Sequence, residues 1–216
     1  MPLLSQVSFG SHLVYSPRGV SDISQKSRSI CRCVKEDSFL TVHGEPERAI
    51  PFIVRRLKAK LQASPLQYLL TDNIVFVPAP RSSPLQLNSL DPPQLICDAL
   101  TRELGHPTMR LLERTVQVPK AAFSKPADRP KARQHYETIR AIPEMCDAEH
   151  IILVDDVITR GSMTIGCASR LAEAHQRAKV SALAIIRTMS QGEVATIEDI
   201  CAGAINLIGE DCFRTP

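Results

Sequence analysis

Two adjacent carboxylates, Asp155 and Asp156, follow the apolar run Ile151-Ile152-Leu153-Val154 and precede Val157-Ile158-Thr159-Arg160-Gly161-Ser162-Met163. Adjacent acids repel each other, and burying both without partners is costly. At the mouth of a sheet they can stay hydrated and accept hydrogen bonds from sugar hydroxyls. They can also help hold a hydrated Mg2+ that accompanies phosphates. The turn after them is built of small residues. Thr159, Gly161 and Ser162 let several backbone N–H groups converge on one anion, and the helix that follows adds its N-terminal dipole. The chemistry is that of a sugar phosphate, held by its hydroxyls on one side and its phosphate on the other.

Competing motifs are absent. The sequence contains no G-x-x-x-x-G-K-[ST], no G-x-G-x-x-G after a strand, no H-E-x-x-H and no G-x-S-x-G. Of seven cysteines only Cys31 and Cys33 are close, so the paired knuckles of a zinc ribbon are missing. Cys97, Cys146, Cys167 and Cys201 read as small buried hydrophobes.

The elements that must position the acidic run can be read from periodicity. Residues 151–154 predict a strand, Ser162 to His175 a helix with Ile165, Ala168, Leu171 and Ala172 on one face, and Val180 to Ile186 a second strand. Strand, helix and strand form a βαβ unit, which requires a parallel sheet. Ligands of such sheets sit at the carboxyl ends of strands. A further strand, Ile74 to Val77, ends in Pro78-Ala79-Pro80 with Arg81 beyond it. Amphipathic spacing predicts helices over Glu47 to Gln62 and Pro93 to Leu104, the latter stopped by Gly105. Residues 114–140 are basic, proline-rich and poorly periodic, the pattern of a loop or hood. His135 and Tyr136 lie within it, as candidates by type for assisting a proton transfer.

The run Ile151 through Ser162 resembles the 5-phosphoribosyl-1-pyrophosphate (PRPP) motif of type I phosphoribosyltransferases. The order of elements is similar to the ComF/GntX-like branch: a strand ending in Val77-Pro78-Ala79-Pro80, a basic hood, then the acidic pair. The resemblance covers roughly residues 70–190. It implies an open, mostly parallel α/β sheet flanked by helices, with a basic hood. It implies that Asp155 and Asp156, as the catalytic pair, contact the ribose hydroxyls. Val157, Ile158, Thr159, Arg160, Gly161, Ser162 and Met163 would wrap the 5′-phosphate, and Arg81, Lys120 and Arg133 would neutralise the pyrophosphate. Mg2+ would arrive with PRPP. The implied activity is phosphoribosyl transfer to a nitrogenous base with release of pyrophosphate. The alternative is a non-catalytic PRPP or nucleotide sensor, or a ComF-like accessory in DNA uptake or defence. Arg160 replaces the middle residue of the family's Thr-Thr-Gly pattern, Met163 sits where a Thr is common, and the Arg-Gly-Phe-Asn-Gln element is absent after the first turn.

Residues 1–45 are polar and weakly periodic, and are expected to form an N-terminal extension to a domain over 46–216. Residues 1–70 hold ten Lys/Arg against five Asp/Glu, whereas 151–216 hold six against eight. That basic third is open to nucleic acid or a protein partner, or is a solvated surface. The Glu47–Gln62 helix and the N-terminal arm are candidate homo-oligomer contacts. With no apolar run near ~18 residues and no charged n-region, the expectation is a cytoplasmic protein with reduced cysteines and no membrane association.

Overall fold

A computed structural model describes residues 2–119, 128–189 and 192–215. The chain opens with β1 (Gln6–Tyr15) and α1 (Asp22–Glu36), then a small hairpin, β2 (Phe39–Val42) with β3 (Glu45–Arg48), and α2 (Ala49–Lys60). Two short 3-10 turns lead to β4 (Ile74–Pro78) and α3 (Pro92–Leu104). The hood follows: β5 (Leu112–Arg114), α4 (Ala132–Glu137) and β6 (Ile139–Ala141). The chain closes with β7 (His150–Ile158), α5 (Ser162–Ala174), β8 (Lys179–Thr188), β9 (Glu198–Ile208) and β10 (Asp211–Thr215).

The central sheet has the order β10-β9-β1-β8-β7-β4. Strands β1, β8, β7 and β4 are mutually parallel; β9 and β10 run antiparallel at one edge. The fold is therefore α/β with a mostly parallel sheet, as expected. One face packs on α1, α2 and α3 through Val34, Leu57, Leu100, Ile152 and Val154. The other packs on α5 and the hood through Ile151, Leu153, Ile165, Leu171 and Ile139. Alternation along β7 sends Ile152 and Val154 to one face and Ile151 and Leu153 to the other.

The N-terminal segment differs from its expectation. Residues 6–15 are not an appendage but a central strand, with β8 on one side and β9 on the other. Gly10 makes this packing feasible: a Cβ there would sit 2.3 Å from Leu66 Cδ2. Five of the ten cations of the N-terminal third are engaged in ion pairs. Arg48 meets Asp37, Arg55 meets Glu47, Lys58 meets Glu103, and Arg56 and Lys60 share Glu198. Such exposed pairs add little stability each, but they account for cations that would otherwise face a polyanion.

The hood is pinned at its base, where β5 and β6 pair antiparallel over Leu112–Ala141, Glu113–Arg140 and Arg114–Ile139. Helix α4 lies on α5 at Gly166, where a Cβ would meet His135 Cβ at 2.7 Å and the Ala132 O and Tyr136 N backbone atoms at 2.9 Å. Backbone cannot step aside as a side-chain tip can. Gly166→Val is expected to cost roughly 1–3 kcal/mol by overpacking. It should lower the urea midpoint and strip amide protection from α4 before α5. Unchanged protection of α4 would show that the helix does not depend on this contact.

Candidate functional site

Helix α3, which follows β4, packs on one face of the sheet; α5, which follows β7, packs on the other. Chains leaving neighbouring strands to opposite faces open a crevice between their carboxyl ends, the usual place for a ligand in such sheets. The acidic pair stands on this crevice. Strand β4 pairs with β7 only from His150 to Val154, and the last register bond is Ala79 N–H to Val154 O, 2.8 Å. From Asp155 onward β7 is held by β8 alone.

The strand was expected to end at Val154, with the acids above it. It runs on to Ile158 because Val157 and Ile158 are β-branched and continue the pairing with Ile186 and Arg187. The two acids are thus strand residues. Ile158 is buried in the core and its carbonyl accepts from Arg214 (3.0 Å), while Val157 packs on the α1 face. The turn to the helix is only Thr159, Arg160 and Gly161.

Asp155 is 8% exposed; Asp156 is half-buried. One Asp155 oxygen accepts from the Asp156 N–H at 2.9 Å, and the two carboxyls hydrogen-bond to each other. Burial, and then the Asp156 charge, push the Asp155 carboxyl well above the usual carboxylate range, opposed only in part by the Asp156 N–H and by the charge of Lys35 on α1. Asp155 therefore tends to hold a proton that Asp156 accepts. Behind it on α5 is the Cys167 thiol, pushed up to about 12 by burial; toward α1 is Cys31, pushed up to about 11 for the same reason. Both are inert small hydrophobes, as read for Cys167. Cys97 is likewise buried, whereas Cys146 and Cys201 are only partly so.

Gly161 takes φ +92° and admits the Ile205 side chain of β9, whose Cγ2 would lie 2.6 Å from a Cβ. Thr159 Oγ1 lies 3.2 Å from Thr188 Oγ1 at the end of β8. Ser162 hydrogen-bonds Cys212 on β10, and Met163 packs on the core. Arg160 is exposed, and its charge is felt by Asp211, away from the acidic pair.

The other expected site residues divide. Arg81 follows β4 and is half-buried at the crevice, with its backbone anchored by the hood. Arg133 is exposed, its guanidinium 5.6 Å from the Tyr136 ring centroid. Lys120 lies outside the described residues. His135 and Tyr136 are engaged elsewhere: His135 Nδ1 accepts from Arg114, and Tyr136 Oη donates to Glu173 at 2.8 Å. His135 is held down to about 4 by burial and by the Arg114 charge, so it is neutral. Arg114 and Lys35 are the cations that the sequence reading did not single out. No local pattern marks either, since each is brought to the site by long-range packing.

The carboxyl ends of β1 and β8 are closed by Glu193. Its carboxylate accepts from the N–H groups of Val20 (2.5 Å) and Ser21 (3.0 Å) and from the hydroxyls of Ser21 (2.6 Å) and Ser24 (2.7 Å). Cavities of about 480 and 230 Å³ lie at the opposite, amino ends of β7 and β8, and neither touches the acidic pair or its loop. No helix among the described residues is long and apolar enough to cross a membrane.

The fold and site define an α/β chain with a crevice between the carboxyl ends of β4 and β7. No protein-family model and no curated protein matches the sequence. Among solved structures it is similar to the adenine phosphoribosyltransferase of Leishmania donovani, at 10% identity over 75% of this chain and 81% of that one, TM-score 0.35. It is similar also to that of Leishmania tarentolae, at 10% identity over 80% of this chain and 90% of that one, TM-score 0.35. At those values the likeness transfers neither activity nor site residues to this chain.

Proposed function

We propose that the β4–β7 crevice binds PRPP or a nucleotide 5′-phosphate, as in a ComF-like phosphoribosyltransferase. The supporting observation is the junction itself: an acidic pair on the stretch of β7 that β4 leaves unpaired, with Asp156 six residues before Ser162 at the N-terminus of α5. In this reading Asp155 and Asp156 accept from the ribose hydroxyls. The amides of 160–162 and the hydroxyls of Thr159 and Ser162 receive the 5′-phosphate, aided by the helix dipole. Arg81 faces the pyrophosphate. Lys120 and Arg133 are kept in this proposal as hood cations.

Among the described residues no group of three or more His, Cys, Asp or Glu side chains could hold a metal. A carboxyl pair with no third ligand among the described residues fits Mg2+ that enters on the phosphates, since Mg2+ is commonly held by one or two carboxylates plus substrate oxygens. Bound there it would supply charge neutralisation of the pyrophosphate. The chain's own part in transfer would be to orient the sugar, exclude water and offset the charge that develops on the leaving group.

A second reading, binding without turnover, is favoured by the engagement of His135 and Tyr136 in packing bonds, which leaves neither facing the crevice. Calorimetric titration with Mg–PRPP, paired with a pyrophosphate-release assay over a panel of purine and pyrimidine bases, separates the two. Binding with release from one base supports transfer. Binding without release from any base leaves the sensor reading. Absence of PRPP and nucleotide binding sinks both.

A further inference from the structure

Arg114 is 5% exposed, and among the described residues none of its hydrogen-bond partners is a carboxylate. Its Nε donates to the Arg81 carbonyl at 2.8 Å, one terminal nitrogen to Thr138 Oγ1 at 2.6 Å, and the other to His135 Nδ1 at 3.2 Å. Two of those acceptors belong to the hood and one to the loop after β4. Arg81 is in the loop after β4, Thr138 is where the hood returns to β6, and His135 is on α4. Two backbone bonds follow the same seam: Val118 N–H to Ser82 O, 2.8 Å, and Thr115 N–H to Thr138 O, 3.0 Å. A buried guanidinium is costly without good partners, and a planar fork satisfies three acceptors at fixed angles as a lysine cannot.

We infer that Arg114 is a positioning residue of the crevice, a joint that locks the β4 loop at Arg81 to the hood at α4 so that the two walls keep one spacing. This rests on the proposed crevice as the ligand site, but the joint itself exists without ligand. Its consequence is that the hood acts on the ligand through the backbone of the β4 loop, not only through its own cations.

The test uses the full chain as wild type, Arg114→Lys and Arg114→Met. In the wild type the amides of Thr115, Val118, His135 and Thr138 are expected to exchange with one common opening rate. In Arg114→Lys, which keeps the charge and loses the fork, Val118 and Thr138 should exchange at least about tenfold faster, while β7 and β8 amides are unchanged. Mg–PRPP affinity should fall at least about tenfold in both variants. If Arg114→Lys retains wild-type affinity and wild-type exchange, charge alone suffices and the joint is overturned. If Arg114→Met melts the hood outright, Arg114→Lys still decides. If the wild type binds no PRPP, the proposed function fails, yet the exchange arm still judges the joint.

Discussion

Asp155→Asn is expected to make the protein more stable at neutral pH and to weaken PRPP binding. The stability half follows from burial. Asp155 is held well above its ordinary value of 3.8, first by burial and then by Asp156. For an acid whose folded value is raised, stability is fully present below the unfolded value and is lost as pH rises through the folded one. The wild type should therefore weaken progressively as pH climbs from about 4. Asparagine reproduces the protonated state without this dependence. Its carbonyl can accept from the Asp156 N–H, as Asp155 does at 2.9 Å, and its amide can donate to the Asp156 carboxylate. The gain at pH 8 should be roughly 1–3 kcal/mol, the usual cost of an uncompensated buried polar group. In a chain of this size that is a few degrees in the melting midpoint, at ~2–4 °C per kcal/mol. The gain should vanish near pH 4. The binding half follows from charge: donating sugar hydroxyls would favour the ionised form of Asp155 that burial disfavours, and hydrogen bonds to an ionised acceptor contribute ~1.5–3 kcal/mol, so affinity should fall roughly 10- to 100-fold. Differential scanning calorimetry from pH 4 to 8 beside a Mg–PRPP titration reads both. A variant less stable at pH 8 would mean that Asp155 is a paired structural carboxylate. A variant with intact affinity would remove it from the site.

Such a residue, better for the fold when replaced and worse for the ligand, marks where a chain departs from its own stability optimum. That departure was legible in the sequence as Asp-Asp after four apolar residues. So were the neighbouring elements. Strand Ile74–Val77, the helix ending at Gly105, and helix α5 appear within a residue or two of where periodicity places them. The hidden parts share one cause. Strand β1 carries Gly10, Ser11 and His12 in its middle, and all three are buried, so the apolar run that identifies a central strand is broken. What makes those residues tolerable is tertiary. Leu66 approaches the bare face of Gly10, and Ser11 Oγ accepts from the buried Arg187 at 3.1 Å. Strands β9 and β10 were hidden as well, and with them the contact on Gly161. Local spacing reports an element's own faces and not what covers them. Thr159-Arg160-Gly161-Ser162 therefore read as a phosphate cradle while its second contact, to Ile205, stayed invisible.

Gly161 joins these two roles, and its replacement is the second large effect. The residue must adopt φ +92°, a region that costs a side chain ~1–2 kcal/mol. An alanine Cβ would also fall 2.6 Å from Ile205 Cγ2 and 2.9 Å from its Cδ1. Ile205 is fully buried on β9, so it cannot swing out to solvent, and overpacking adds ~1–3 kcal/mol. Gly161→Ala should then lose roughly 2–5 kcal/mol, a large fraction of the ~5–15 kcal/mol margin of a marginally stable domain. The two contributions separate in a double-mutant cycle. Ile205→Ala alone costs ~2–5 kcal/mol for its cavity, but it removes the atoms that a Cβ would strike. In that background Gly161→Ala should cost only the backbone share, ~1–2 kcal/mol. Chemical denaturation of the four proteins measures the coupling. Equal costs in both backgrounds would show that Ile205 does not press on the turn. The phosphate side is tested in the same proteins, because the missing Cβ would point at Ile205 and not at the amides of 160–162. If those amides form the cradle, the double variant should recover phosphate affinity along with the turn's geometry. If it recovers stability but not affinity, the glycine is needed where the anion itself approaches.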